Sequence, residues 1–189
     1  LGRSVRPILD PAPGEERLLE DAAWIQPALV ALELALAELW RSAGVVPYAV
    51  LGHSLGEYAA AAVAGALSFE DALRLAAYRG RLFGRVRRPG GMAAVFAGED
   101  EVAGVIADLA DRLSIAAVNA PGEVVLSGEA AALETALERL ARSGAKSRAL
   151  RTTHAFHSPL VEPILDEFES MARAFSFSPP RMAWISTVT

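Results

Sequence analysis

The residues of this chain best suited to chemistry fall in three places: a serine on a glycine-flanked turn, a pair of histidines in one loop, and an arginine on an apolar helix face. Gly52-His53-Ser54-Leu55-Gly56 is a G-x-S-x-G pentapeptide, in which glycines permit a sharp turn and let a substrate approach the serine closely. A serine so placed sits at a helix N-terminus, where the backbone N–H of Leu55 is a donor suited to an oxyanion. Its hydroxyl is a weak nucleophile until a base takes the proton, and the chain holds three histidines, His53, His154 and His157. Neighbouring side chains on a tight turn diverge, which leaves His53 to pack or hydrogen-bond locally. His154-Ala155-Phe156-His157 precedes Ser158-Pro159, a loop from which one imidazole could meet the serine, and spacing does not choose between the two. A three-histidine zinc site built on this H-x-x-H pair lacks an underlying helix and a nearby carboxylate, so no metal is assigned.

The third place is Arg79. On a helical wheel of residues 69–86, Ala72, Leu75, Ala76, Leu82, Phe83 and Val86 form one apolar stripe with Arg79 in its middle, while Arg74, Arg81 and Arg85 face the other way. A guanidinium on a core-facing stripe needs an anionic partner. Either an internal Asp or Glu supplies it, or a substrate carboxylate bound in bidentate fashion does.

The elements that must position these residues read as follows. Pro27 opens a helix in which Leu29, Leu32, Leu36 and Leu39 recur at spacings of three and four, stopping at Gly44. Tyr48 to Leu51, between Pro47 and Gly52, reads as a buried strand, and the alanine-rich run from Leu55 as a helix. Strand, turn and helix in succession are the layout of an α/β nucleophile turn. Ser68 caps a helix running to about Val86, ended by Arg87-Arg88-Pro89-Gly90-Gly91. Residues 92–152 then read strand, helix, strand, strand, helix, strand, the order of a ferredoxin-like βαββαβ unit, with a Pro121-Gly122 turn in the middle.

Composition narrows the function classes. With 189 residues, 52% of them hydrophobic, the chain has material for one core, or a core plus a small subdomain. Lys and Arg number 18 against 23 Asp and Glu, a net charge of -5, so there is no basic footprint for nucleic acid or an anionic membrane. The absence of cysteine removes disulfides, thiolate nucleophiles and Cys-ligated zinc and fits a reducing, cytoplasmic setting. No run approaches the roughly 18 to 20 apolar residues of a membrane span, and residues 1–14 lack a signal-peptide core, so a soluble protein is expected. A start at Leu1 and an end in the strand-like WISTVT read as cut from something longer.

GHSLGE at 52–57, Arg79 lying 25 residues beyond the serine, and HAFHSPL at 154–160 together resemble the malonyl-CoA:acyl-carrier-protein transacylase family, most closely an acyltransferase domain of a modular type I polyketide synthase. Gln26-Pro27-Ala28, GMAAV and ISTVT extend the resemblance over nearly the whole chain. It implies an α/β fold: an α/β-hydrolase-like large subdomain over 1–91 and 153–189, incomplete at both ends, with a ferredoxin-like small subdomain inserted over 92–152. It further implies Ser54 as nucleophile, His157 as general base, the Leu55 N–H as an oxyanion donor and Arg79 as carboxylate anchor. Gln26, Phe156 and His53 fall in the substrate-binding set. Members that take malonyl units are similar to this chain in carrying HAFH, where methylmalonyl types show YASH and a glutamine after the serine; Phe156 and Leu55 fit the malonyl pattern.

The implied reaction is ping-pong, from malonyl-CoA through an acyl-Ser54 to the phosphopantetheine thiol of an acyl carrier protein, with no bound metal or redox cofactor. Neighbouring ketosynthase and other synthase domains are the implied partners, in the biosynthesis of polyketides such as antibiotics. The family's N-terminal Gly-Gln-Gly loop and its segment beyond ISTVT are not among these residues. Two rivals differ in kind. A serine hydrolase of the thioesterase or lipase type needs an acidic triad member and has no use for Arg79, and a scaffold module has no use for any of the three residues.

Overall fold

The computed structural model describes residues 4, 6–12, 16–86, 89–152 and 154–187. In chain order the helices and strands are α1 (Arg6–Leu9), α2 (Ala22–Ser42), β1 (Ala49–Leu51), α3 (Gly56–Val63), α4 (Phe69–Phe83), β2 (Gly90–Phe96), α5 (Glu99–Ile106), β3 (Leu113–Ala120), β4 (Glu123–Glu129), α6 (Ala130–Arg142), β5 (Lys146–Ala149), α7 (Glu162–Ala172) and β6 (Ala183–Ile185). They fall into two compact units, Leu1–Gly84 with Glu167–Thr189, and Arg85–Asp166. The second unit is longer at each end than the 92–152 stretch read from the sequence. Pro13, Arg87, Arg88, Thr153 and the last two residues of ISTVT lie outside the described residues.

In the first unit, β1 and β6 form a parallel two-stranded sheet with Ala49 opposite Ala183 and Leu51 opposite Ile185. The core joins Val30 and Leu34 of α2, the alanines of α3, and Ala72, Leu75 and Ala76 of α4. Alanine dominates because α3 is buried on most of its circumference, and small side chains let its backbone approach its neighbours. α4 begins as the sequence suggests, with Ser68 Oγ accepting from the Asp71 N–H at 3.0 Å. It ends at Phe83, short of Val86, with Gly84 as the cap.

Four other expectations change. α2 starts five residues before Pro27, because Asp21 caps it by accepting from the Ala23 N–H at 2.9 Å. Pro27 therefore lies inside the helix, where its missing N–H forgoes one helical bond. The leucine stripe does not face the core: Leu29, Leu32, Leu36 and Leu39 are 41–62% exposed, and Ala22, Gln26, Val30 and Leu34 face inward instead. The strand at 48–51 is shorter and less buried than expected, with Tyr48 93% exposed and outside it. Finally, α2 is long and apolar enough, by length and composition alone, to cross a membrane, although 33% of the qualifying window is buried inside the protein. Glu33 and Glu38 interrupt its apolar run without bringing the average below that of a span, which is why no continuous run was visible.

The second unit is a four-stranded antiparallel sheet in the order β3-β4-β2-β5. Period-two alternation directs Ala93 and Val95 of β2, and Val124 and Leu126 of β4, toward Val102 and Ile106 of α5 and Ala132, Ala136 and Leu140 of α6. Each fully buried Val or Leu there contributes about 1.5–3 kcal/mol. β2 opens at Gly90, where a side chain would collide with Ala155 and Leu160. That close approach fits the 154–160 loop against the start of β2.

Candidate active site

β1 delivers the chain to Gly52, and α3 begins four residues later with Leu55 as its N-cap. A Cβ at Gly52 would strike the backbone of Gly56 and Glu57, so only glycine fits beneath the turn. The turn is closed by the Gly56 N–H donating to His53 O (2.9 Å) and the Glu57 N–H donating to Ser54 O (3.2 Å). Ser54 itself has φ +52°, a left-handed conformation that costs an L-residue about 1–2 kcal/mol. His53 is exposed and, with Glu33, Gly52 and Gly56, lines a cleft of about 570 Å³ whose lining does not include Gln26 or Arg79.

Glu57, the last residue of GHSLGE, latches this turn to β6 and the residues just after it. Its carboxylate accepts from Trp184 Nε1 at 2.8 Å and lies 3.1 Å from Thr187 Oγ1, which also lies 3.2 Å from Gly52 O. The sequence reading gave Glu57 no role. An acid in the first turn of a helix was the available signal.

Arg79 and Gln26 come together from α4 and α2. Arg79 Nη1 donates to Gln26 Oε1 at 2.8 Å, and the guanidinium carbon lies 4.8 Å from the centre of the Phe83 ring. Burial pushes the Arg79 pKa down, opposed by the nearby Tyr58 hydroxyl. Burial likewise pushes Tyr58 up, opposed by the Arg79 charge. Gln26 is 3% exposed, and its Nε2 is buried without a hydrogen-bond partner. An unmet buried donor costs about 1–3 kcal/mol.

In the second unit, the 154–160 loop is held by three hydroxyls. Ser114 Oγ donates to His157 O at 2.6 Å, Ser158 Oγ donates to Ala155 O at 2.7 Å, and Thr152 Oγ1 donates to His154 O at 2.9 Å. His154 is half-buried with its ring 5.7 Å from that of Phe156, whereas His157 is exposed and has φ +58°. Among the described residues, Ser54 and His157 are the two non-glycine positions with positive φ. Such strain persists where the surroundings over-determine it, and it concentrates at functional sites.

Residues 1–189 match the acyl transferase domain family over their whole length. This chain belongs to that family. The acyltransferase domain is 50% identical over 190 residues to the polyketide synthase GfsB of Streptomyces halstedii, spanning all of this chain and 3% of that protein. It is 45% identical over 192 residues to the spectinabilin polyketide synthase system protein NorB of Streptomyces orinoci, spanning 9% of that protein. The solved acyltransferase domain from the second module of the salinomycin polyketide synthase superposes with a TM-score of 0.93 at 47% identity, covering all of this chain and 44% of that one. The chain thus spans less than half the length of these relatives, and its fold is the α/β fold of polyketide synthase acyltransferase domains.

Proposed function

We propose that this domain moves a malonyl unit from malonyl-CoA to the phosphopantetheine thiol of an acyl carrier protein during polyketide biosynthesis, in the cytoplasm and beside ketosynthase and other synthase domains. Ser54 Oγ attacks the thioester carbonyl as His157 takes its proton, and the oxyanion accepts from the Leu55 N–H. The C–S bond breaks, His157 returns the proton to the departing CoA sulfur, and malonyl remains on Ser54. The carrier thiol then attacks the ester by the same steps in reverse, so no cofactor is consumed. Arg79 pairs with the free malonyl carboxylate, with Gln26, His53 and Phe156 in the substrate-binding set. In this reading the first unit is an α/β-hydrolase-like subdomain and the second a ferredoxin-like insertion, whose βαββαβ order matches β2 to β5.

The observation that carries the reading is Ser54 held at φ +52° between a strand and the N-terminus of α3. Arg79 separates transfer of a carboxylated acyl group from simple hydrolysis, since a water-accepting esterase has no use for a buried guanidinium. Mixing the protein with malonyl-CoA and then with a phosphopantetheinylated carrier protein tests it. A malonyl adduct that persists until the carrier arrives and then moves to its thiol is expected; release as free malonate would assign a hydrolase instead.

A further inference from the structure

We infer that Ser114 is a positioning residue for His157, its hydroxyl holding the His157 backbone in the left-handed turn from which the imidazole works. The inference rests on the reading of His157 as general base above and adds the residue that sets that base in place.

β3 mounts this hydroxyl on a paired strand. Leu113 is buried in the core with α5 and α6, so strand alternation turns Ser114 to the opposite face of the sheet. There it lies across from Ser127 of β4, which is itself paired on its other side with β2. The 154–160 loop packs on the same face: a Cβ on Gly91 would press on Leu133 of α6, whereas one on Gly90 would collide with Ala155 and Leu160. From Leu113 to Val118, Ser114 is the one polar side chain. Its Oγ donates to His157 O at 2.6 Å, joining residues 43 apart in sequence, and lies 3.5 Å from Ser127 O.

The loop is tied down on both sides of His157. Ala155, Ser158 and Leu160 are buried, and Ser158 Oγ donates to Ala155 O at 2.7 Å and accepts from the Leu160 N–H at 3.3 Å. These contacts fix the flanks. His157 stands exposed between them at φ +58°, a region that histidine tolerates better than most residues without preferring it. Rotating the peptide after His157 would carry its carbonyl away from Ser114, so the hydroxyl restrains that rotation and keeps His157 in its turn. A general base must meet its proton at hydrogen-bond distance, and a misplacement of about 1 Å costs on the order of 100-fold in rate. Because the contact is open to solvent, water can replace a lost hydroxyl with little change in stability. A water does not tie the carbonyl to β3.

The test measures single-turnover malonyl loading across malonyl-CoA concentrations, with thermal unfolding, for Ser114→Ala, Ser114→Thr, Ser114→Val, His157→Ala and the Ser114→Ala/His157→Ala double variant. Ser114→Ala should lower the maximal rate by roughly 10-fold, with the half-saturating concentration within about twofold of the parent's and the unfolding temperature nearly unchanged. Ser114→Thr keeps a hydroxyl and should load faster than the similarly shaped Ser114→Val by a like factor; this pair decides if Ser114→Ala does not fold. In the His157→Ala background, Ser114→Ala should change the rate by less than about twofold, since the base it positions is gone. Ser114→Ala loading within about twofold of the parent overturns the positioning role, as does an equal loss with and without His157; slow loading by His157→Ala then leaves the base assignment standing. Parent-like loading by His157→Ala overturns both.

Discussion

The two glycines of the G-x-S-x-G turn should respond differently to the same substitution. A Cβ at Gly52 would strike the backbone of Gly56 and Glu57, which no rotamer change relieves, whereas at Gly56 it would meet nothing closer than Glu33 Oε1 at 3.9 Å. Overpacking costs about 1–3 kcal/mol, and a clash with backbone belongs at the upper end. Gly52→Ala should therefore lose about 3 kcal/mol, which lowers Tm by roughly 6–12 °C for a domain of this size. The same displacement moves Ser54, and misplacing a reacting group by about 1 Å costs on the order of 100-fold in rate. Gly56→Ala should leave loading intact and leave stability unchanged or raised by up to about 1 kcal/mol, since alanine replaces glycine in a helix. Thermal unfolding and single-turnover malonyl loading of both variants provide the readout. Equal effects at the two positions, or parent-like loading by Gly52→Ala, would refute the claim that Gly52 makes the turn.

Arg79→Ala should penalise malonyl-CoA over acetyl-CoA by about 3–5 kcal/mol, the cost of leaving a buried charge unpaired, read as the ratio of their loading rates. Phe156→Ser should narrow the preference for malonyl over methylmalonyl, which one methyl group sets at roughly 10- to 200-fold, in competition loading. His157→Ala should slow acylation by about 100-fold or more, and His154→Ala by much less, in stopped-flow loading. Glu33 has its pKa raised by burial, with Oε2 lacking a hydrogen-bond partner. A raised carboxyl contributes stability when protonated and loses it as pH rises through its folded pKa. Glu33→Gln should thus melt higher than the parent at neutral pH, with the difference shrinking as pH falls through the carboxylate range.

Much of this was legible in the sequence wherever local chemistry decides. Ser68 announces α4, the apolar runs on either side of Pro121-Gly122 and at 92–97 announce β2 to β4, and Arg79 stands out on its apolar stripe. What escaped was decided by contacts between distant residues. The leucine period of α2 marks an apolar face but not which face meets a partner. The close contact at Gly80 goes with Gln26, Val30 and Leu34 facing inward and Leu29, Leu32, Leu36 and Leu39 facing out. Two start signals compete in α2, the capping Asp21 and Pro27, a common first helical residue, and only the fold selects Asp21. The left-handed backbone at His157 has only a weak signature in residue type, and at Ser54 the G-x-S-x-G pattern signals a sharp turn without giving its φ; neighbours such as Glu57 and Ser114 bond to the two turns.

The most direct test of the account is to incubate the protein with malonyl-CoA, quench, digest and map the adduct by mass spectrometry, with Ser54→Ala in parallel. The account predicts one malonyl group, on the peptide containing Ser54 and absent from the variant. Malonyl on another residue, or an undiminished adduct in Ser54→Ala, would contradict it.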